Sequence, residues 1–215
     1  MLLENERKKV IEIALGTKRE KLVPLTFGNY SLRDPETGYV CITPSGMPYD
    51  TLHPSDIVVI DLDCHIIDGE RKPSIEAPLH TSVYKKRDDV FGVVHTHSTF
   101  CTAWACRGKS MPCITSEGAE LVGGTVKCAE FVPPGSLELA EVTSKALGKD
   151  SAVLMGNHGV MCVGADIDKA FNNAIIMEKE AKVAFYAYQM GDVNTLDEQM
   201  CAYLKEDVEK NYGQK

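Results

Sequence analysis

Several features are missing from this chain of 215 residues, and each absence excludes a class of protein. No run approaches the roughly 20 apolar residues that a membrane-spanning helix needs, since the longest, such as Ile57–Ile60, end at acidic residues. Lysine and arginine total 23 against 31 aspartates and glutamates, a formal net charge of −8 that provides no basic field for a nucleic-acid backbone or an anionic membrane. The sequence therefore predicts a protein that uses neither nucleic acid nor membrane as a partner.

Paired cysteine motifs and targeting signals are absent as well. None of the eight cysteines forms a Cys-x-x-Cys pair. Charged residues interrupt the first 16 residues, where a secretory signal peptide would be apolar. These observations predict a soluble, cytoplasmic protein with reduced thiols. Because the chain also has no repeat, charge block or low-complexity stretch, we expect residues 1–215 to form a single domain.

The pattern of apolar residues predicts an α/β protein. Helical periodicity covers residues 2–16, with Gly16 as the stop, and then 76–87, 98–106, 136–147, 166–190 and the tail from 195. Strand patterns cover 25–33, 38–44, 56–63, 90–95, 151–156 and 159–164, and a hairpin is expected to close at Asp68-Gly69. Consecutive short strands favour a mostly antiparallel central sheet covered by helices.

Histidines supply the first indication of chemistry. His95 and His97 lie in the run VVHTHS, where an extended backbone sends residues i and i+2 to one face, so both could bind the same ion. A catalytic zinc ion takes three protein ligands, and His158 in the turn GNHG is the best third candidate. Alternatives stay open, because His-x-His also occurs in solvated strands and a turn histidine often bonds only to backbone. The other three are interpreted as a loop, a hairpin-edge and a helix-surface residue: His53, His65 and His80.

Three segments of small residues could present backbone N–H groups to an anion, namely 26–29, 43–46 and 73–76. Each alone is more simply an ordinary turn or cap. Glu76 has two interpretations too, because a carboxylate in the first helical turn also complements the helix dipole. It becomes a candidate acid or base if the metal lies beside it.

Taken together, these motifs resemble a known family. The segments TFGNYSLR, TPSGM, KPSIEAPLH, VVHTHS, the glycine pair at 123–124, NHGVMCVG and the terminal NYG resemble, in order and spacing, the class II aldolase/adducin family. The similarity spans nearly the whole chain, and it is greatest to the aldolases that act on L-fuculose 1-phosphate.

The resemblance implies a three-layer α/β/α domain and a homotetramer with active sites at subunit interfaces. It implies zinc on His95, His97 and His158, with Glu76 as both a metal ligand and the catalytic carboxylate. Glutamate at that position favours aldolases over the family's 4-epimerases, which have aspartate. The implied phosphate pocket comprises Gly28, Asn29, Thr43, Ser45, Gly46 and Ser74.

Two positions depart from the family pattern. Ile75 replaces a second phosphate-facing serine, and Ser116 aligns where the aldolase has a tyrosine that handles a proton on the aldehyde oxygen. The family's terminal tyrosine does align, with Tyr212. The departures leave the aldehyde half of the substrate open.

The predicted reaction is zinc-dependent retro-aldol cleavage of a ketose 1-phosphate to dihydroxyacetone phosphate and an aldehyde. Glu76 would protonate the enediolate carbon, and Tyr212 would act as acid or base for the aldehyde oxygen. Three alternatives remain: a pentulose-5-phosphate 4-epimerase, an aldolase or dehydratase for a salvage sugar such as 5-deoxyribulose or methylthioribulose 1-phosphate, and a non-catalytic adducin-like scaffold. The scaffold predicts lost metal ligands, whereas all three histidines are present.

Overall fold

Eight strands lie side by side in one sheet in the computed structural model, which describes residues 1–213. They are β1 (Asn29–Arg33), β2 (Val40–Ile42), β3 (Val58–Ile60), β4 (Ile66–Asp68), β5 (Gly92–Thr96), β6 (Cys128–Ala129), β7 (Ala152–Met155) and β8 (Gly159–Gly164). Their order is β4-β3-β2-β1-β5-β8-β7-β6. Within the described residues, β6 with β7 is the only parallel pair, so the prediction of a mostly antiparallel sheet is confirmed.

Helices cover both faces of the sheet. They are α1 (Glu4–Arg19), α2 (Ala77–Lys86), α3 (Thr99–Ala105), α4 (Ser116–Leu121), α5 (Leu137–Leu147), α6 (Ile167–Met190) and α7 (Glu198–Asn211). One face carries α1, α3 and α6, while α2 and α5 pack together on the other, and α4 and α7 pack against each other beside α6. The three-layer α/β/α fold class is therefore confirmed. No helix among residues 1–213 is both long and apolar enough to cross a membrane.

Alternating side chains along the strands build two separate cores. In β5, Val94 packs with the α1/α3/α6 layer and Val93 with the α2/α5 layer. The same alternation separates Cys162 from Met161 in β8. Each fully buried aliphatic side chain of this kind contributes about 1.5–3 kcal/mol of transfer free energy. Since His95 is two residues beyond Val93, it faces the α2 side.

Two local predictions about glycines are wrong. Gly16 does not end α1, which continues to Arg19, because Gly16 lies where the helix meets α6: a Cβ there would be 2.9 Å from the Phe171 ring. The hairpin between β3 and β4 turns at 61–65, with Asp61 accepting from the amides of Asp63 and His65. Asp68 is instead the last residue of β4, and Gly69 follows it. A glycine that permits close packing and a glycine that permits a turn are identical in sequence.

Candidate metal centre and active site

Three histidines converge at the ends of two central strands of the sheet, where β5 ends and β8 begins. The ring centroids of His95, His97 and His158 are 4.9, 4.8 and 4.7 Å apart in the three pairings, and one nitrogen from each lies within 4.8 Å of the others. Nε2 of His95 is 3.0 Å from Nε2 of His97, near the roughly 3.3 Å that two imidazole nitrogens have on a tetrahedral zinc ion. The structure thus brings together the three predicted ligands.

The turn that carries His158 depends on its two neighbours. Asn157 adopts φ 54°, a left-handed conformation that asparagine tolerates better than most residues. At Gly159, a Cβ would lie 2.4 Å from the carbonyl oxygen of Thr96 on the adjacent strand. Only glycine allows β8 to start this close to β5, and this approach sets His158 opposite His97.

One hydrogen bond fixes the tautomer of His95. Its Nδ1 lies 3.0 Å from the carbonyl oxygen of Val160, which can only accept, so Nδ1 carries the proton and donates. Nε2 is then left with a lone pair directed toward the other histidines, as a metal ligand requires.

The electrostatic environment keeps the three rings neutral. Burial, reinforced by the neighbouring histidines, lowers the pKa of His95 and of His97 to about 3. Burial also lowers the pKa of His158, against the opposing effect of Glu76. Neutral imidazoles are the form that binds a metal ion.

Glu76 approaches the three histidines from the start of α2, on the helical layer that covers this face of the sheet. It caps α2, is only 4% exposed, and its Oε2 accepts a 2.8 Å hydrogen bond from Nδ2 of Asn29. Oε2 lies 3.4 Å from Nε2 of His95, and Oε1 lies 3.5 Å from Nε2 of His158. No hydrogen-bond partner among residues 1–213 reaches Oε1. A buried oxygen without a partner, facing three neutral imidazoles, fits a divalent cation held by these four side chains.

The predicted anion segments lie next to one another and to Glu76. The bridge between Pro44 and Pro73 joins the second and third segments. The amides of Ser45 and Ser74 donate to the carbonyl oxygens of Lys72 and Thr43, respectively, each at an N–O distance of 3.0 Å. The amide of Gly28 donates to the Tyr49 hydroxyl. Contrary to expectation, these three N–H groups are directed at protein oxygens.

Two hydroxyls in these segments remain able to donate. The Thr43 hydroxyl accepts from the amide of Tyr30, and the Ser74 hydroxyl accepts from the amide of Glu76. Because a hydroxyl that accepts one bond still carries a proton, both keep a donor for an anion. Gly46 adopts φ 69°, and a Cβ there would meet no atom within 4 Å.

Neither of the two positions that depart from the family pattern, nor the aligned terminal tyrosine, is hydrogen-bonded to the histidine cluster within the described residues. Ile75, beside Glu76, is 63% exposed. Ser116 begins α4, and its hydroxyl lies 3.4 Å from the Glu117 carboxylate. Tyr212 caps the C-terminus of α7 and is 82% exposed, and no hydrogen bond or ring contact within the described residues joins it to the histidines.

Sequence reasoning missed His80, which it assigned to a helix surface. His80 is fully buried, and its Nε2 lies 2.6 Å from Oδ1 of Asn29. The signal was present, because residues four apart on a helix share a face and His80 follows Glu76 by four. By contrast, His53 lies in a loop and His65 at a hairpin edge, as expected, and both are exposed.

Comparison with known proteins extends these observations. A family model described as the class II aldolase and adducin N-terminal domain matches residues 8–185. The curated 5-deoxy-D-ribulose 1-phosphate aldolase of Bacillus thuringiensis serovar kurstaki is 34% identical over 214 residues, covering both chains fully.

Solved structures agree with the sequence relatives. A structure of L-fuculose 1-phosphate aldolase superposes with a TM-score of 0.92 at 31% identity, covering 95% of this chain and 96% of its own. A sugar-phosphate aldolase from Thermotoga maritima, 21% identical, shares the fold with a TM-score of 0.73, covering 89% of this chain and 98% of its own.

Proposed function

Since the chain belongs to the class II aldolase and adducin family and is a metal-dependent aldolase, we propose that it cleaves a ketose 1-phosphate to dihydroxyacetone phosphate and an aldehyde, with zinc as its metal. The observation that carries the proposal is the convergence of three neutral histidines on a buried glutamate with one unpartnered oxygen. Such a centre combines a cation site with a proton carrier, and retro-aldol cleavage needs both.

The donor set favours zinc. His95, His97 and His158 offer three imidazole nitrogens, and Glu76 offers an oxygen at the fourth position. When bound, the ion supplies positive charge next to the substrate oxygens, where negative charge develops as the C3–C4 bond breaks.

Glu76 is the proposed acid and base. Its Oε2 is anchored by Asn29, while Oε1 is free of hydrogen bonds from residues 1–213. In the cleavage direction, Glu76 delivers a proton to C3 of the three-carbon fragment, which completes dihydroxyacetone phosphate. In the reverse direction, it removes that proton.

We propose that the phosphate binds where segments 26–29, 43–46 and 73–76 meet. The Thr43 and Ser74 hydroxyls each retain a proton to donate, and the segment containing Gly46 leaves room for a ligand. The other proposed contacts are Gly28, Asn29 and Ser45. Ile75 supplies no hydroxyl, so the donors of the proposed pocket are the Thr43 and Ser74 hydroxyls.

The relatives support two substrates that share the phosphorylated half. Cleavage of 5-deoxy-D-ribulose 1-phosphate would release acetaldehyde, and cleavage of L-fuculose 1-phosphate would release lactaldehyde. We favour 5-deoxy-D-ribulose 1-phosphate, because the relative of that name is 34% identical across the full length of both chains. L-fuculose 1-phosphate is the second candidate, supported by the aldolase structure at 31% identity.

The proposed domain organisation, cellular location and oligomeric state follow from the family resemblance. We propose one domain over residues 1–215, a cytoplasmic location, and a homotetramer with active sites at subunit interfaces. In that assembly Tyr212, exposed in the single chain, would reach a site as the acid or base for the aldehyde oxygen.

A substrate panel tests the proposal. Zinc-loaded protein is incubated with 5-deoxy-D-ribulose, L-fuculose and methylthioribulose 1-phosphates, and with pentulose 5-phosphates, while dihydroxyacetone phosphate is assayed with a coupled dehydrogenase. We expect release from at least one of the first two. Epimerisation of a pentulose 5-phosphate without release would favour the 4-epimerase, and loss of water from methylthioribulose 1-phosphate the dehydratase. No turnover of any sugar phosphate would favour the scaffold.

A further inference from the structure

We propose that His80 is a positioning residue that orients Glu76 through the side chain of Asn29. The inference deepens the proposed function and rests on it, because it concerns the carboxylate assigned there as the proton carrier. His80 does not contact the histidine cluster by any hydrogen bond within residues 1–213; its effect would be relayed by one amide group.

A buried chain of hydrogen bonds runs from the sheet to Glu76. Nε2 of His80 lies 2.6 Å from Oδ1 of Asn29, whose Nδ2 lies 2.8 Å from Oε2 of Glu76. At the other end, Nδ1 of His80 lies 2.6 Å from the Ser31 hydroxyl, which the Tyr84 hydroxyl approaches to 2.8 Å. All five side chains are buried, so removal of one partner leaves a buried polar group without its hydrogen bond, which is costly.

Chemistry allows one direction of donation along this chain. The Glu76 carboxylate accepts, so Asn29 must turn its NH₂ toward it and its oxygen toward His80. That oxygen accepts in turn, so His80 must carry its proton on Nε2. Nδ1 of a neutral ring then accepts from the Ser31 hydroxyl.

The helix and the sheet set this geometry together. Glu76 and His80 are one turn apart at the start of α2, so both face the sheet. Asn29 and Ser31 alternate along β1 onto that same face, and Asn29 pairs with His95 in β5. One strand thus supplies both partners of the His80 ring, next to β5, which carries His95 and ends just before His97.

Without the His80 donor, the orientation of the Asn29 amide is no longer fixed. A 180° rotation about its terminal bond would place Oδ1 against the Glu76 carboxylate, and two acceptors repel. Among residues 1–213, Asn29 supplies the one hydrogen bond to the Glu76 carboxylate, so loss of that bond lets the carboxylate move. Displacement of a catalytic group by about 1 Å can cost roughly 100-fold in rate.

Proton exchange of dihydroxyacetone phosphate isolates the step that Glu76 performs. In D₂O, Glu76 takes the proton from C3, the C–H electron pair stays on the substrate, and a deuteron returns to the same carbon. Exchange is followed by NMR in zinc-loaded wild type, His80→Leu and His80→Gln, with bound zinc measured in each. We expect His80→Leu to lower kcat for exchange by about 100-fold with zinc stoichiometry retained, and His80→Gln, which restores a donor, to recover most of it.

Val83→Ala is the matched control for a purely structural effect. Val83 is fully buried on α2 but takes no part in the chain of hydrogen bonds. Its truncation should therefore lower the melting temperature while leaving kcat for exchange within about twofold of the wild-type value. If His80→Leu exchanged as fast as Val83→Ala, or if His80→Gln were as slow as His80→Leu, the positioning role would be overturned.

A second readout is independent of activity. Nitrogen-15 NMR of the His80 ring should show the neutral tautomer protonated on Nε2 in wild-type protein. A ring protonated on Nδ1 could not donate to Asn29 and would overturn the inference, whatever the kinetics. Wild-type protein that bound zinc but exchanged no proton would instead contradict the proposed function, while the tautomer would still decide the hydrogen-bond chain.

Discussion

At the scale of single residues, one backbone carbonyl decides how His95 can act. Because the Val160 oxygen accepts only, it holds the proton of His95 on Nδ1 and leaves Nε2 for a metal. Within residues 1–213 no hydrogen-bond partner reaches Nδ1 of His158, so its ring is held by the turn that carries it. The three proposed ligands are therefore not equally constrained.

Removal of one histidine should empty the centre. In His158→Ala only two imidazoles remain, and we expect zinc affinity to fall by at least about 100-fold and turnover to fall with it. Bound metal is measured after dialysis, with His53→Ala, an exposed loop substitution, as the control that keeps both properties. Stoichiometric zinc and full activity in His158→Ala would show that the ligand assignment is wrong.

Substitution of Gly159 by alanine should disturb the same centre by displacing the backbone. In Gly159→Ala the new Cβ would lie 2.4 Å from the Thr96 oxygen, so β8 and β5 must separate next to His97 and His158. We expect a loss of about 1–3 kcal/mol in the free energy of unfolding, together with weaker zinc binding.

Gly38→Ala separates local backbone strain from this clash. Unlike Gly159, Gly38 has a left-handed backbone, with φ 72°, and a Cβ there meets no atom within 4 Å. Its substitution should cost stability without changing zinc affinity. Equal zinc affinity in the Gly159 and Gly38 variants would contradict the close approach of the two strands.

The residues of the site differ in how readily sequence predicts them. Strand alternation alone placed His95 and His97 on one face, because the period of a strand is two. His158 and Glu76 needed the family resemblance, since a turn histidine and a helix-capping acid are common without a metal. His80 was misassigned because the amphipathic pattern of α2 does not show that both faces of its first turns are covered, although the spacing of four residues placed His80 on the face of Glu76.

At the scale of elements, two carboxylates of α6 organise the segments around α3 and α4. The Glu178 carboxylate accepts hydrogen bonds from the amides of Phe100 and Cys101 in the first turn of α3, each with a donor–acceptor distance of 3.0 Å. Glu180 is 3% exposed and accepts from the amides of Ile114 and Thr115 over 2.7 and 3.2 Å, and from the Thr115 hydroxyl. The long helix therefore supplies partners for unpaired amides in the first turn of α3 and for the two amides just before α4.

Truncation of the more buried carboxylate should destabilise the fold without affecting the metal centre. Glu180→Ala leaves three donors without a partner, and we expect a loss of about 2–4 kcal/mol in urea denaturation. Glu180→Gln keeps one acceptor oxygen and should lose less. If Glu180→Ala were as stable as wild type, the hydrogen bonds to residues 114–115 would contribute nothing to folding.

Length and periodicity explain which elements sequence predicts. The helix expected at 166–190 forms as α6 with Asp166 as its cap, and Ser136 likewise caps the helix that follows it. The six-residue α4 and the two-residue β6 had no usable pattern, because their boundaries depend on partners such as Glu180 and β7 that lie far away in sequence.

At the scale of the whole molecule, the centre exists only because the sheet joins distant parts of the chain. β1, β5 and β8 are adjacent in the sheet, although His95 and His158 are far apart in sequence. The strand segments were largely predictable from sequence, but their order was not, since antiparallel pairing of non-consecutive strands leaves no local signal.

The proposed assembly gives a prediction at this scale. A homotetramer has about four times the chain mass of 23.6 kDa, which light scattering after size-exclusion chromatography can measure. If Tyr212 reaches a site only in the assembly, Tyr212→Phe should lower turnover while mass and zinc content stay the same. Full activity in a species with the mass of one chain would contradict sites at subunit interfaces.

The most direct test of the central claim is the rate at which zinc-loaded protein releases dihydroxyacetone phosphate from 5-deoxy-D-ribulose 1-phosphate, compared with its metal-depleted form and with Glu76→Gln. We expect release by the loaded wild type, recovery of lost activity when zinc is returned to the depleted protein, and a loss of about 10²–10⁴-fold in Glu76→Gln. Equal rates for the loaded protein, the depleted protein and Glu76→Gln would contradict a zinc centre that works with Glu76.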